Sequence, residues 1–380
     1  MKKKINKVGI FISDEGFGHS VRQRVIINNL LLYNPKIKIT IFNSKRLLFL
    51  KQYFGNKLKY KFYPHTLFTV KKKSGELNLD ETSKILFRWQ KKSSLSIRKL
   101  LKNKKELNFD LIISDLVPEA FNLAKILNIP AYGIARFSWD WFFYNTKLKN
   151  LKATQIIKNS LRLANKIYFS TFTKKKILSN NYLNIQEINL VFDKNIFKEG
   201  TNEFFKSTNT YKCLIMDNGT KTNSSLIQET IRYLKKLKNI DFYISVDNFP
   251  DKIRTYVAEQ RNLIPVEGLR NMHRLIEHVD FLVARGGFNT ITEILFFKKP
   301  ALLIYEKNNP EIKENLNQMY KLGYCAIMEQ ASFKSKFVKK INYFINKQLK
   351  NIQINLNSKN IKTNGANQIL NDIIKDYAKN

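Results

Sequence analysis

Three groups of residues in this 380-residue chain have types and spacings that could do chemistry. The first is Gly16-Phe17-Gly18-His19, between an apolar run, Val8–Ser13, and a segment with helical apolar spacing, Ser20–Leu32. Glycines at a strand-to-helix turn let the backbone approach a phosphate or substrate closely, and a helix N-terminus favours anions. A histidine there can exchange a proton near neutrality, although a lone histidine more often serves structure. The second is Asp115, just past the compact apolar run Asp110–Ser114. Its carboxylate could orient the His19 imidazole and stabilise its charged form, as a general-base dyad requires. It could equally cap a helix starting near Val117. The third is Arg285-Gly286-Gly287-Phe288-Asn289-Thr290-Ile291-Thr292-Glu293, which joins the run Phe281–Ala284 to a helix. Free backbone N–H groups, Asn289, Thr290 and Arg285 suit a diphosphate. Glu293, one turn into that helix, could accept hydrogen bonds from ribose hydroxyls, or simply complement the helix dipole.

Other chemistries fit poorly. A dinucleotide fingerprint needs a third glycine near Val21 and an acid after the second strand, which instead ends in Phe42-Asn43-Ser44. No Asp-x-Asp occurs, His273 and His278 lack a helical ligand spacing, and no metal site is expected. Cys213 and Cys325 are too few for a disulfide framework or a cysteine-rich zinc site, which fits a reducing cytoplasm.

The elements that must position these residues alternate. After Val8–Ser13 and Ser20–Leu32 come a strand at Ile37–Phe42, the strand Asp110–Ser114, a helix at Val117–Leu127 and strands at Ala131–Ala135 and Lys166–Ser170. A polar stretch around 192–210 reads as a linker. The alternation restarts with strands at Cys213–Met216, Asp241–Val246, Phe281–Ala284 and Ala301–Ile304, and helices at Ser224–Leu237, Thr290–Phe297 and Glu311–Leu322. Residues 347–360 are polar and read as a surface connection before a last helix. This is an α/β pattern of two open, doubly wound parallel sheets: an N-terminal domain over 1–191, a linker over 192–210, a C-terminal domain over 211–364 and a C-terminal helix over 365–380. Two such domains predict a cleft, with ligands outside the carboxyl ends of the strands.

Charge adds a second theme. Lys and Arg number 67 against 30 Asp and Glu, a net +37, of which residues 1–200 carry +26. Such a surface could meet anionic lipid, a charged glycan or nucleic acid. A chain rich in Lys, Asn and Ile together also follows from an AT-rich genome. No nucleic-acid signature accompanies the charge, so no nucleic acid is expected as partner. No apolar run is long enough to span a bilayer, and Val8–Ile12 is too short for a signal-peptide core. The segment from Leu86 to Leu107 mixes apolar and basic residues at roughly helical spacing. It suggests peripheral association with anionic membrane, against the alternative of a solvated helix.

The third group, Gly287-Phe288-Asn289-Thr290-Ile291-Thr292-Glu293, resembles the donor signature of the GT-B superfamily of UDP-sugar glycosyltransferases. That superfamily includes the peptidoglycan N-acetylglucosaminyl transferases and the small-molecule glucosyl and glucuronosyl transferases. Lys299-Pro300, Glu311-Ile312-Lys313-Glu314-Asn315 and Gly323 follow in the family's order. Gly16-Phe-Gly-His-Ser-Val-Arg22, Ser114-Asp115-Leu-Val-Pro118 and Phe137-Ser-Trp-Asp140 resemble the glycosyltransferase-like N-terminal region of plant arabinokinases. The resemblance spans about residues 7–330 and implies two Rossmann-like domains.

It also implies roles. His19 would be the base that deprotonates the acceptor hydroxyl, and Asp115 its partner. Gly219, Thr220, Arg285, Gly286, Gly287, Asn289, Thr290, Glu293 and Glu311 would bind the donor. Gly16, Gly18, Arg22, Trp139 and Asp140 would lie on the acceptor side. The implied reaction is inverting, metal-independent transfer from a UDP-sugar, a co-substrate rather than a cofactor, to a glycan or lipid-linked acceptor in cell-envelope synthesis. The implied place is the cytoplasm or the inner face of the membrane. Two departures stand out. Arg285 replaces a phosphate-binding histidine, and a permanent cation can do that work. Ile312 replaces a glutamine that reads the donor sugar, and it cannot make the amide's hydrogen bonds. Two alternatives remain: a UDP-sugar hydrolase of pseudaminic-type sugar biosynthesis, sharing the Gly-x-Gly-His-x-x-Arg turn, and a non-catalytic nucleotide-sugar binding protein.

Overall fold

A computed structural model of the chain describes residues 4–64, 67–72, 76–146, 148, 151–172, 184–192, 211–216, 231, 233–246, 249–267, 272–306 and 308–379. Among them lie two compact units, the first containing 1–70, 78–192 and 362–380 and the second 71–77 and 193–361. The expected linker falls almost entirely outside the described residues, as do Gly219, Thr220 and most of the helix expected at Ser224–Leu237.

The first unit is built on a parallel sheet of seven strands. They are β1 (Lys7–Ile12), β2 (Lys38–Asn43), β3 (Lys59–Phe62), β4 (Leu111–Asp115), β5 (Ala131–Ala135), β6 (Lys166–Ser170) and β7 (Ile185–Ile188), in the order β3-β2-β1-β4-β5-β6-β7. Parallel sheets are covered on both faces, so their central strands read as continuous apolar runs rather than alternating ones. That is why Val8, Ile10, Phe11 and Ile12 in β1 and Leu111, Ile112 and Ile113 in β4 are all buried. Each such side chain contributes roughly 1.5–3 kcal/mol through burial.

Register carries the functional point. Ile12 at the end of β1 pairs with Asp115 at the end of β4, so the turn after β1 and this carboxylate share one edge of the sheet. The chain order reverses at β1, between β2 on one side and β4 on the other. In open α/β sheets ligands bind outside the strand carboxyl ends at such a point.

The last helix, Gly365–Tyr377, packs on the first unit, with Ile369, Leu370, Ile373 and Tyr377 in the same apolar cluster as Ile26 and Leu30. Lys166 in β6 holds Asp372 and Asp376 at 2.6 and 3.1 Å, and the Tyr168 hydroxyl donates to Asp372 at 2.7 Å. Gly365 is demanded by close approach, since a Cβ there would sit 2.1 Å from the Asn189 carbonyl oxygen.

The second unit repeats the design with β8 (Tyr211–Ile215), β9 (Ile240–Ser245), β10 (Leu263–Val266), β11 (Phe281–Arg285), β12 (Ala301–Tyr305) and β13 (Ala326–Glu329). All are parallel, in the order β10-β9-β8-β11-β12-β13. Cys213 and Cys325 are free and buried.

The polar connection expected at 347–360 is instead a π-helical turn, Phe344–Gln348, followed by a helix, Leu349–Asn357. Ile352 and Leu356, four residues apart, make its buried stripe. Lysines, asparagines and glutamines around them hid that stripe from composition.

Helix Leu79–Leu101 turns the apolar residues of its basic stretch inward. Leu86, Trp89 and Ile97 are buried, while Phe87 and Leu95 face out. No helix among the described residues is long and apolar enough to cross a membrane.

Candidate active site

In the first unit, Gly16 caps the helix Phe17–Tyr33 in extended geometry and, as a glycine, brings no capping side chain of its own. A Cβ at Gly16 would meet nothing within 4 Å, so space lies open in front of that helix end. His19, Arg22 and Gln23 lie three and four residues apart, on one helix face. All three turn to Asp115. His19 Nδ1 donates to Asp115 Oδ1 at 2.8 Å, Arg22 to the same oxygen at 2.5 Å, and Gln23 to Oδ2 at 3.1 Å.

Asp115 is fully buried. Burial alone would raise its pKa. The charge and hydrogen bonds of Arg22 and His19 outweigh burial and hold the carboxyl well below the usual range. A buried carboxylate can only accept, so the His19 proton sits on Nδ1 and the Nε2 lone pair is left to take another. His19 keeps 12% side-chain exposure against 0% for Asp115.

The capping alternative for Asp115 is settled by its neighbour. Ser114 Oγ accepts from Val117 N at 2.9 Å and donates to Val117 O at 3.0 Å, so serine ties this turn. Leu116 between them has φ 53°, a left-handed conformation that costs an L-residue roughly 1–2 kcal/mol.

The other residues expected on the acceptor side are placed as follows. Arg22, expected toward an acceptor, lies behind the histidine because its i+3 spacing aims it at the carboxylate. Gly18 is inside the helix. Trp139 and Asp140 are buried, Trp139 against the rings of Phe137, Phe142 and Phe143. Their sequence context showed a strand end but could not show an aromatic core closing over it.

In the second unit, Gly287 caps the helix Phe288–Phe297, again in extended geometry, without a side-chain cap and with no atom within 4 Å of an added Cβ. Gly286 answers a different need, because a Cβ there would press on Leu316 at 2.5 Å. Asn289 and Thr290 occupy the first turn. Arg285, at the end of β11, pairs with Glu306, which follows β12 and is 1% exposed. The other oxygen of Glu306 accepts from Lys71 Nζ at 2.7 Å. Glu293 faces His273, with Nε2 to Oε1 at 3.0 Å.

Glu311 stands in the first turn of helix Pro310–Lys321, whose cap is Asn309, accepting from Ile312 N at 3.1 Å. Ile312 itself is 3% exposed, a core residue where the family pattern has a sugar-reading amide. Gln23, Lys71 and Glu306 belong to no motif in the sequence, and His273 enters there only as a histidine without a ligand spacing. Only Gln23 had a signal there, its helical spacing from His19.

Comparison with known proteins follows the same division. Residues 224–373 match the Glycosyltransferase family 28 C-terminal domain. The chain is similar to the UDP-N-acetylglucosamine–N-acetylmuramyl-(pentapeptide) pyrophosphoryl-undecaprenol N-acetylglucosamine transferase of Sulfurihydrogenibium sp., with 26% identity over 192 residues, 48% of this chain and 52% of that protein. The enzyme of that name from Clostridium botulinum is 28% identical over 183 residues, 44% and 48% of the two chains. The chain thus spans about half the length of the curated relatives it matches. Among solved structures, Arabidopsis thaliana UGT89C1 complexed with UDP-L-rhamnose superposes at TM-score 0.67 and 10% identity, over 99% of this chain and 100% of that one. Acinetobacter baumannii MurG superposes at TM-score 0.61 and 12% identity, over 98% and 99%. The fold is GT-B, and the chain resembles the UDP-sugar glycosyltransferases built on it.

Proposed function

We propose that this chain is a glycosyltransferase that moves a sugar from a UDP-sugar to an acceptor hydroxyl, with inversion and without a metal, in cell-envelope glycan synthesis. One observation carries the reading: a partly exposed histidine whose Nδ1 is locked on a buried, charge-held carboxylate, at the open glycine turn of a GT-B N-terminal unit. In this reading His19 Nε2 takes the proton as the acceptor oxygen attacks the anomeric carbon and the C1–O bond to the diphosphate breaks. Asp115 stabilises the imidazolium that forms. The departing UDP gathers negative charge at the turn 286–290, where backbone N–H groups, the helix N-terminus and the cations on Glu306 face it. Glu293 holds the ribose.

The family match and the curated relatives support a UDP-sugar donor and a lipid-linked or glycan acceptor. Peripheral association with anionic membrane belongs to the same proposal, supported by the net +37 charge and by the outward Phe87 and Leu95. Sedimentation with vesicles of rising anionic fraction tests it, and flat binding removes it.

The test of the reaction is incubation with a panel of UDP-sugars, with and without lipid-linked acceptors, in the presence of EDTA. Acceptor-dependent UDP release is expected. Equally fast release with water alone would make the protein a hydrolase, and loss of activity with EDTA would end the metal-free mechanism.

A further inference from the structure

Arg285 looks like the diphosphate's cation in the sequence, but its charge is already spent. The buried Glu306 carboxylate pairs with it, and Arg285 with Glu306 alone is a neutral unit. A neutral pair gives a dianionic ligand little reason to bind. Lys71 changes that balance. It meets the opposite oxygen of Glu306 at 2.7 Å, with only 15% of its side chain exposed. Among the described residues, two cations flank this one carboxylate, next to the strand end that leads to the helix N-terminus at Gly287.

Lys71 comes from far away in the chain. It lies between β3 and helix Leu79–Leu101, and the segment 71–77 clusters with the second unit rather than with its chain neighbours. The described ends of that segment are paired. Lys71 bridges Leu77 in antiparallel fashion, and Lys72 N donates to the Glu76 carbonyl at 2.8 Å. Glu306 is anchored at the carboxyl end of the sheet, just past β12, whose Ile304 pairs with Arg285. The long lysine side chain is therefore held before any ligand arrives, so little rotamer freedom remains to be lost on binding.

We propose that Lys71 is a donor-binding residue of this site, supplying the positive charge that holds the β-phosphate of UDP, with Glu306 as the positioning residue that aims both Lys71 and Arg285. The inference rests on the UDP-sugar reading above and adds to it a ligand from outside the C-terminal half of the chain.

Calorimetry on the full chain with UDP and with uridine tests it, using Lys71→Met and Lys71→Arg. Lys71→Met keeps the length of the side chain and leaves Glu306 paired with Arg285. Its UDP affinity should fall about tenfold or more, the scale of one charge-assisted hydrogen bond. Uridine, which has no phosphate, should bind within about twofold of wild type, and this also reports that the nucleoside site is folded. Lys71→Arg should recover most of the UDP affinity. Unchanged UDP binding in Lys71→Met overturns the assignment. So does an equal loss for UDP and uridine, which would make Lys71 a structural tie. If the wild type bound neither ligand, the UDP-sugar reading itself would fall, and this inference with it.

Discussion

The two glycine turns of this protein are built alike and charged differently. Each follows a strand of a parallel sheet, opens a helix, has an uncapped glycine with free space before it and faces a buried carboxylate on a neighbouring strand's end. At the first turn, Asp115 holds one permanent cation, Arg22, and one imidazole, His19. The second partner there is a group that can take up or release a proton. At the second turn, Glu306 pairs with two cations among the described residues, Arg285 and Lys71. In the proposed reaction the first motif receives a proton and the second an anion. The backbone supplies the place, and the ratio of cations to carboxylate decides the chemistry.

The largest expected effect breaks the first turn. His19→Ala should lower turnover by about 10²–10⁴-fold, as positioned general bases do, while UDP affinity stays near wild type. Steady-state kinetics beside calorimetry checks both halves. Equal losses in the two would erase the division between the turns.

Next comes the second turn. Glu293→Ala should weaken UDP binding by about 1.5–3 kcal/mol, because ribose hydroxyls lose a charged acceptor. His273→Ala should give a smaller loss, since His273 only orients that carboxylate at 3.0 Å. Unchanged UDP affinity in folded Glu293→Ala would remove Glu293 from the donor site.

Asp115→Asn keeps shape and removes charge. Turnover should fall less than in His19→Ala, and the double variant should be no worse than His19→Ala alone, because the two groups act as a unit. Full additivity in rate would mean that Asp115 works independently of the histidine.

These expectations also mark what was legible. The central strands and both glycine turns could be read from apolar runs and punctuation, because parallel strands buried on both faces leave continuous hydrophobic segments, whereas the short strands β3, β7, β10 and β13 leave no such run. The partners were not legible. Lys71 and Glu306 are 235 positions apart, and no local period signals that they meet. Helix Leu349–Asn357 hid behind polar composition because its buried stripe rests on few residues. Trp139, by contrast, was visible but ambiguous, since an aromatic at a strand end serves a core as readily as a ligand.

The smallest effect sharpens the electrostatic side of the comparison. Glu119 is a fully buried carboxyl of the first unit that, unlike Asp115, is met by no cation among the described residues; the Trp89 indole N–H at 2.6 Å and its own backbone N–H donate to it. Burial pushes it up to about 8. The folded pKa lies above the unfolded value, so the unfolded chain releases this proton first. Stability should fall as pH rises from about 4.5 toward 8, then level off. Glu119→Gln can keep the indole bond and should remove that slope, so that its stability at pH 8 no longer falls below that at pH 5 through this group. Denaturant titrations at pH 5 and pH 8 read it. An unchanged slope would show that Glu119 ionises in place and that burial without a cation does not govern carboxyls here.

The most direct measurement of the division between the turns is amide hydrogen exchange on the full chain with and without UDP. The expected result is strong protection over 286–293, the proposed diphosphate and ribose site, and little change over 16–23, the proposed proton acceptor. Protection concentrated at 16–23, with none at 286–293, would contradict the assignment of donor to the second unit and base to the first.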